Sequence, residues 1–228
     1  MTQANPAAWP SGGRDPLSPS PRPGDFTLDR WDVLQLVKDC ARALGIRERE
    51  IGVLSAHLSL LPKGPVRAAD LCMSYAEIAG ILDRANCMDE RRFRRGETRL
   101  AEIGLIARRL SGNGRRFPVR DGRGQIVDAY GIDLRPLFLR VPDLERLRLR
   151  LAEESARRRA LKSRISARLA TLRKGLGDGL SRMVSATLDD LQRLCRRSAA
   201  SLAELTAAEA RLAELETGME QQAAGNFR

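Results

Sequence analysis

Tyr75-Ala-Glu-Ile-Ala-Gly-Ile-Leu-Asp-Arg-Ala85 and, after the break Asn86-Cys-Met88, Asp89-Glu-Arg-Arg-Phe-Arg-Arg-Gly-Glu-Thr-Arg-Leu-Ala-Glu-Ile103 are the stretches on which the fold turns. In the first, Ile78, Ala79, Ile81 and Leu82 recur at helical spacing and predict a helix over about 75–85 with those residues inward. In the second, Phe93, Leu100 and Ile103 share a face, so Arg91, Arg92, Arg95 and Arg99 fall mostly outward, with Arg94 between. Gly96 and Glu97 disturb this pattern. Glycine costs about 1 kcal/mol relative to alanine in a helix interior, and Glu97 sits beside the apolar stripe, so a kink or early end is expected there. Helix, turn and arginine-studded helix is the order of a helix-turn-helix whose second helix enters the DNA major groove.

The next residues predict a three-stranded β-wing. Leu105-Ile-Ala-Arg-Arg-Leu110 reads as a strand, Ser111-Gly-Asn-Gly114 as a tight hairpin turn, and Arg115-Arg-Phe-Pro-Val-Arg120 as the return strand. Pro118 cannot donate a ladder hydrogen bond, so the return strand is expected to be short or at an edge. Asp121-Gly-Arg-Gly124 makes a second turn and Gln125 to Gly131 a third strand. Arg115, Arg116, Arg120 and Arg123 sit on or beside these tips, where a wing meets phosphate.

Residues 1–25, with six prolines before Asp25, predict a disordered arm. Thr27 or Asp29 can cap a helix carrying Trp31, Leu34, Val37 and Ala41, which Gly45 ends. A second helix over about 47–60 turns Ile51, Leu54 and Leu58 inward, and Pro62-Lys-Gly-Pro65 stops it. His57 reads as a satisfied core histidine, since no Ser, Cys or acid constellation is legible around it. These helices complete a winged domain over residues 26–141. Gly131 to Leu137 reads as a short buried connector, after which Val141-Pro142 opens a long basic helix over 142–176. Its stripe of Leu144, Leu147, Leu151, Leu161, Ile165, Leu169, Leu172 and Leu176 is interrupted at Glu154-Ser155 and Arg158. That helix either lays a basic face along DNA or packs, solvated, on its own domain. Gly175 to Gly179 reads as a hinge before a C-terminal extension over 177–228. There one helical segment over about 180–218 places Leu188, Leu191, Cys195, Leu202, Leu205 and Leu212 near seven-residue registers, and the last ten residues read as frayed. Pairing between two copies and folding back on the preceding helix are both open. The fold class expected is mainly α with a small β-wing: a winged helix-turn-helix followed by long C-terminal helices.

The charge is localised. The chain carries +11 overall, but residues 1–74 hold 9 basic and 8 acidic groups, residues 75–176 hold 25 and 13, and residues 177–228 hold 6 and 8. An excess concentrated on the candidate reader and the helix after it is the footprint of a nucleic-acid protein; a solvated basic helix is the plainer reading. Arginine supplies 36 of the 40 basic groups, which base composition of the genome explains as well as recognition does, so no base preference follows. Only 4% of residues are aromatic, against a base-stacking single-strand module. Four cysteines without zinc-type spacing, a single histidine, and no apolar run long enough to span a membrane predict a cytoplasmic protein with reduced thiols, no metal and no cofactor. No Walker-type loop or paired-carboxylate site marks an enzyme.

Several strings resemble the RepC-type replication initiators of repABC plasmids of alphaproteobacteria. They are Arg84-Ala-Asn-Cys-Met88, Leu100 to Ile106 with Arg108-Arg109, Asn113-Gly-Arg-Arg-Phe117, Arg120-Asp121, and Ala129-Tyr-Gly-Ile-Asp-Leu134 with Pro136-Leu137. The resemblance covers about Trp31 to Leu176. It departs at Arg91-Arg92, where the family has small or hydroxyl residues, at Glu97, where it has an apolar one, and in length, since members carry a second C-terminal domain. It implies a protein that binds its plasmid origin and starts replication, with copy number set by its supply and host replication proteins as partners. On this reading Arg91, Arg92, Arg94 and Arg95 face the major groove of double-stranded origin DNA, Arg99 lies near its edge, and Arg115, Arg116 and Arg120 clamp phosphate. A winged-helix transcriptional regulator would use the same surface. A homodimer through the C-terminal helices and no membrane partner complete the expectation.

Overall fold

A computed structural model describes residues 27–67, 70–176 and 182–225; the expected N-terminal arm and most of the expected hinge lie outside them. The chain divides into two compact units, Met1–Arg148 and Leu149–Arg228.

In the first unit, helix α1 (Arg30–Leu44) starts because the Asp29 carboxylate accepts the Trp31 and Asp32 amides, and it stops at Gly45, which is left-handed at φ 65°. Its buried face is Val33, Leu34, Leu36, Val37, Cys40 and Leu44. Trp31, expected on that stripe, is instead 43% exposed in the first turn, with the Arg30 guanidinium 5.4 Å above its ring. Helix α2 (Glu48–Ser59) buries Val53, Leu54, Ala56 and Leu58 together with two polar residues, Glu50 and His57. Glu50 accepts the Arg47 amide at 2.9 Å and so caps its own helix. Two short strands that the sequence did not signal, β1 (Thr27–Leu28) and β2 (Val66–Arg67), pair antiparallel.

Helix α3 (Ile78–Arg84) begins three residues later than expected, because β3 (Met73–Ser74) precedes it in a ladder with β6 (Ile126–Asp133). Ile81 is buried and Ile78 and Leu82 half-buried, while Ala79, expected inward, faces solvent. The turn to α4 (Glu90–Glu102) uses two consecutive left-handed residues, Asn86 (φ 55°) and Cys87 (φ 52°). Asp89 then accepts the Arg92 amide at 3.0 Å and caps α4. The expected disturbance at Gly96 does not occur: α4 runs unbroken through it. A Cβ on Gly96 would lie 2.7 Å from Val53 Cγ2, so the missing side chain is what lets α2 approach α4.

The wing forms, but its ladder differs from the expected hairpin. Strands β4 (Ala107–Arg109) and β5 (Phe117–Arg120) each pair with β6, and among the described residues not with each other. Ser111 to Gly114 does turn, with the Gly114 amide on the Ser111 carbonyl at 2.8 Å, yet it closes no ladder. The hairpin is β5–β6 across Asp121 to Gly124, where Asp121 Oδ1 accepts the Arg123 and Gln125 amides, both at 2.9 Å. Pro118 falls on β5, a four-residue strand whose ladder partner is β6, as its missing donor requires. Gly131 on β6 is held by a closer constraint: a Cβ there would sit 2.2 Å from the Ser74 carbonyl oxygen. The expected connector is partly strand and partly helix, since β6 continues to Asp133 and α5 (Arg135–Leu139) buries Leu137 and Phe138.

Helix α6 (Val141–Leu176) is continuous, and its patchy stripe has a physical cause. Leu144 belongs to the core of the first unit, whereas Leu161, Ile165 and Leu169 belong to that of the second. The expected single C-terminal helix is two, α7 (Arg182–Arg196) and α8 (Leu202–Gly225). The break was encoded at Ser201, whose hydroxyl accepts the Glu204 amide at 3.2 Å while Glu204 accepts the Ser201 amide at 2.8 Å, a capping box. Helix α8 continues to Gly225 rather than ending near Gly218. Leu188, Leu191, Cys195, Leu205 and Leu212 pack onto the α6 residues. The seam that suggested pairing between copies is therefore filled within one chain. Among the described residues no helix is long and apolar enough to cross a membrane.

Candidate nucleic-acid interface

Phe93, Gly96, Glu97 and Leu100 tie α4 to the core, and the opposite face is cationic. Arg91, Arg92 and Arg95 are exposed, and among the described residues none of them enters an ion pair. Arg94 pairs with Glu90 at 2.6 Å, an exposed i,i+4 contact of a kind worth only about 0.3–0.5 kcal/mol. Arg99 is less outward than expected. It pairs with Glu102 at 3.3 Å and leans toward α1, its Nη2 3.4 Å from where a Cβ on Gly45 would stand.

The wing arginines divide more sharply. Arg115 is exposed, and Arg120 is exposed but braces its own hairpin by donating to the Gly124 carbonyl at 2.7 Å. Arg116 does not project at all: its side chain is 9% exposed and donates to Glu97 Oε1 at 2.7 Å. Its removal from the expected phosphate clamp follows from Glu97, which would otherwise be an uncompensated buried charge. Arg108, which spacing alone did not single out, donates to Thr98 Oγ1 at 2.8 Å and lies 3.9 Å from Glu97 Oε2. Arg109 makes a two-pronged pair with Asp128 at 2.7 and 2.6 Å and sits 5.8 Å from the Tyr130 ring centre.

Glu97 is the hub of a buried polar chain. His57 Nε2 is 3.0 Å from Glu97 Oε1, and His57 Nδ1 is 2.8 Å from Ser74 Oγ; all three residues are at most 1% exposed. Burial holds the imidazole below its usual pKa, outweighing the pull of Glu97 in the other direction. Burial also works against ionised Glu97, but the His57 hydrogen bond and the Arg116 charge outweigh it and leave the carboxyl below its usual range. Neutral His57 thus donates from Nε2 to the carboxylate and accepts the Ser74 hydroxyl at Nδ1. The order Ser–His–Glu resembles a hydrolytic relay, but a fully buried Ser74 hydroxyl cannot meet a substrate. Beside the chain, an open cleft of about 610 Å³ separates α4 from the wing, lined by Arg94, Thr98, Arg108, Arg115 and Arg116 over Ile78 and Ile132.

In the second unit three arginines of α6 pair with acids of the neighbouring helices. Arg164 pairs with Glu209 at 3.0 Å, Arg168 with Glu216, and Arg173 with Asp189 at 2.6 Å. Three positions of the expected basic stripe are thus matched by acids of α7 and α8, whereas Arg150, Arg157, Arg159 and Lys174 enter no ion pair among the described residues. Among the described residues, no cluster of three or more His, Cys, Asp or Glu side chains is placed to hold a metal ion.

Residues 17–179 match the family described as "Replication protein C N-terminal domain". A curated relative from Sinorhizobium fredii, provisionally named replication protein C, is 31% identical over 142 residues, which is 62% of this chain and 35% of the relative. One from Rhizobium rhizogenes with the same provisional name is 35% identical over 138 residues, covering 57% of this chain and 34% of the relative. The chain therefore spans about a third of the length of the curated relatives it matches. No solved structure matches it.

Proposed function

The chain belongs to the replication protein C N-terminal domain family, and we propose that it binds double-stranded DNA at a plasmid origin through α4 and the wing and thereby starts replication. The observation that carries the reading is the row of exposed, unpaired guanidiniums on α4: Arg91, Arg92 and Arg95, with Arg94 held only by a surface acid. Arginine forks suit both guanine edges and phosphate oxygens. Arg115 and Arg120 extend this field across the cleft to the wing. The chain acts by binding and catalyses no step; strand opening falls to host replication proteins, and supply of the chain sets copy number.

The test is footprinting and salt titration on an origin fragment. With roughly six phosphate contacts, affinity is expected to fall about a thousandfold between 50 and 200 mM salt. A shallow slope, or an unaltered footprint in the Arg92→Ala, Arg95→Ala double variant, would overturn the docking. A plasmid-maintenance assay with that double variant reads the second half of the proposal: retained replication alongside lost binding rules out the initiator role.

A further inference from the structure

The four-residue chain Ser74–His57–Glu97–Arg116 links α2, β3 and α4 to the loop that enters β5. A single buried carboxylate receives two guanidiniums from different parts of the wing, Arg116 at 2.7 Å and Arg108 at 3.9 Å. Stability alone does not account for such a device, because apolar residues of similar volume usually serve a core as well as a buried ion pair or better. What the pair supplies is direction. Glu97 stands one helical turn from Arg94 and two residues from Arg95, on the helix that presents them, and the wing cannot swing away without stranding its charge. Arg116 Nη1 is buried as well and, among the described residues, makes no hydrogen bond to protein.

We propose that Glu97 and Arg116 are positioning residues that fix the angle of the wing on α4, so that Arg115 and Arg120 meet the DNA backbone in register with Arg91, Arg92 and Arg95. The inference rests on the DNA-binding reading for its consequence, but the tether can be measured without DNA. Cys87 is exposed whereas Cys40, Cys72 and Cys195 are buried, so Cys87 and an Arg123→Cys substitution at the wing tip can carry a spin-label pair. The reference protein should give one narrow distance distribution. The Glu97→Gln, Arg116→Met double substitution leaves His57 an acceptor and strands no charge; it should melt near the reference temperature yet give a broadened distribution. On origin DNA it should lose wing-side protection, keep protection by α4, and lower the salt slope by about two ions. An unchanged distribution with an unchanged footprint overturns the proposal. Should the double variant not fold, amide exchange in the unaltered protein decides: Arg115 to Phe117 protected with α4 supports the tether, and exchange as fast as Arg123 overturns it. Failure of the unaltered protein to footprint at all would instead sink the DNA reading, leaving the distance measurement standing.

Discussion

On α4 and the wing, Arg91, Arg92 and Arg95 project without an ion pair among the described residues, Arg94 and Arg109 hold surface acids, and Arg116 turns inward onto one buried carboxylate. On α6, Arg164, Arg168 and Arg173 each face an acid from a neighbouring helix. The same residue type therefore serves three ends: a free field, a buried brace and a peripheral clasp. Exposed clasps contribute about 0–1 kcal/mol each and are screened by salt. They do, however, cancel the charge a DNA backbone would otherwise meet. An excess of basic groups over residues 75–176 counts all three kinds equally, and only packing separates them.

The contrast breaks most severely at glycine. Gly131→Ala should cost about 3 kcal/mol or more in urea unfolding, since the new Cβ meets the Ser74 backbone oxygen rather than a movable side chain. Next is affinity: Arg92→Ala and Arg95→Ala should each weaken binding to an origin fragment about tenfold, whereas Arg164→Ala and Arg168→Ala in the second unit should change it less than twofold. Equal losses from both pairs would erase the distinction. A smaller effect is acid sensitivity. Because the folded pKa of His57 is depressed, the unfolded chain takes up the proton first. Stability is then full above the unfolded value of about 6.5 and declines as pH falls below it, with a slope approaching about 1.4 kcal/mol per pH unit. His57→Gln should flatten that slope between pH 6.5 and 5, and Glu97 adds a further loss only below about pH 4.3. Smallest is Gly218→Ala in α8, where a Cβ meets nothing within 4 Å; it should raise stability by up to about 1 kcal/mol, seen as a modest rise in Tm.

Much of this was legible because local rules and packing agreed. Asp29 and Gly45 bound α1, Asp89 starts α4, and Phe93 and Leu100 set its buried face, all from spacing and cap chemistry. Sequence reasoning failed where a long-range partner decided. Arg116 looked like its neighbour Arg115 until Glu97, nineteen residues back, drew it inward. Asn113-Gly114 carries the strongest short-range hairpin signal, but β6 offered both flanking strands a better mate. Strands of two residues, such as β1 and β2, are too short for any period to show. The α7–α8 break was readable from Ser201 and Glu204 but was masked by the heptad-like run around it.

Strand β6 pairs with β3, β4 and β5, yet it is the last of the four to be synthesised. A ribosome that has released residues 1–125 has delivered three strands with nothing to bind, and Glu97 with its wing clasp still unformed. The sheet of the first unit is therefore completed late, when a single eight-residue segment emerges. Nascent chains shorter than that are expected to be captured by chaperones or degraded, which makes elongation past Asp133 the checkpoint between synthesis and a closed sheet.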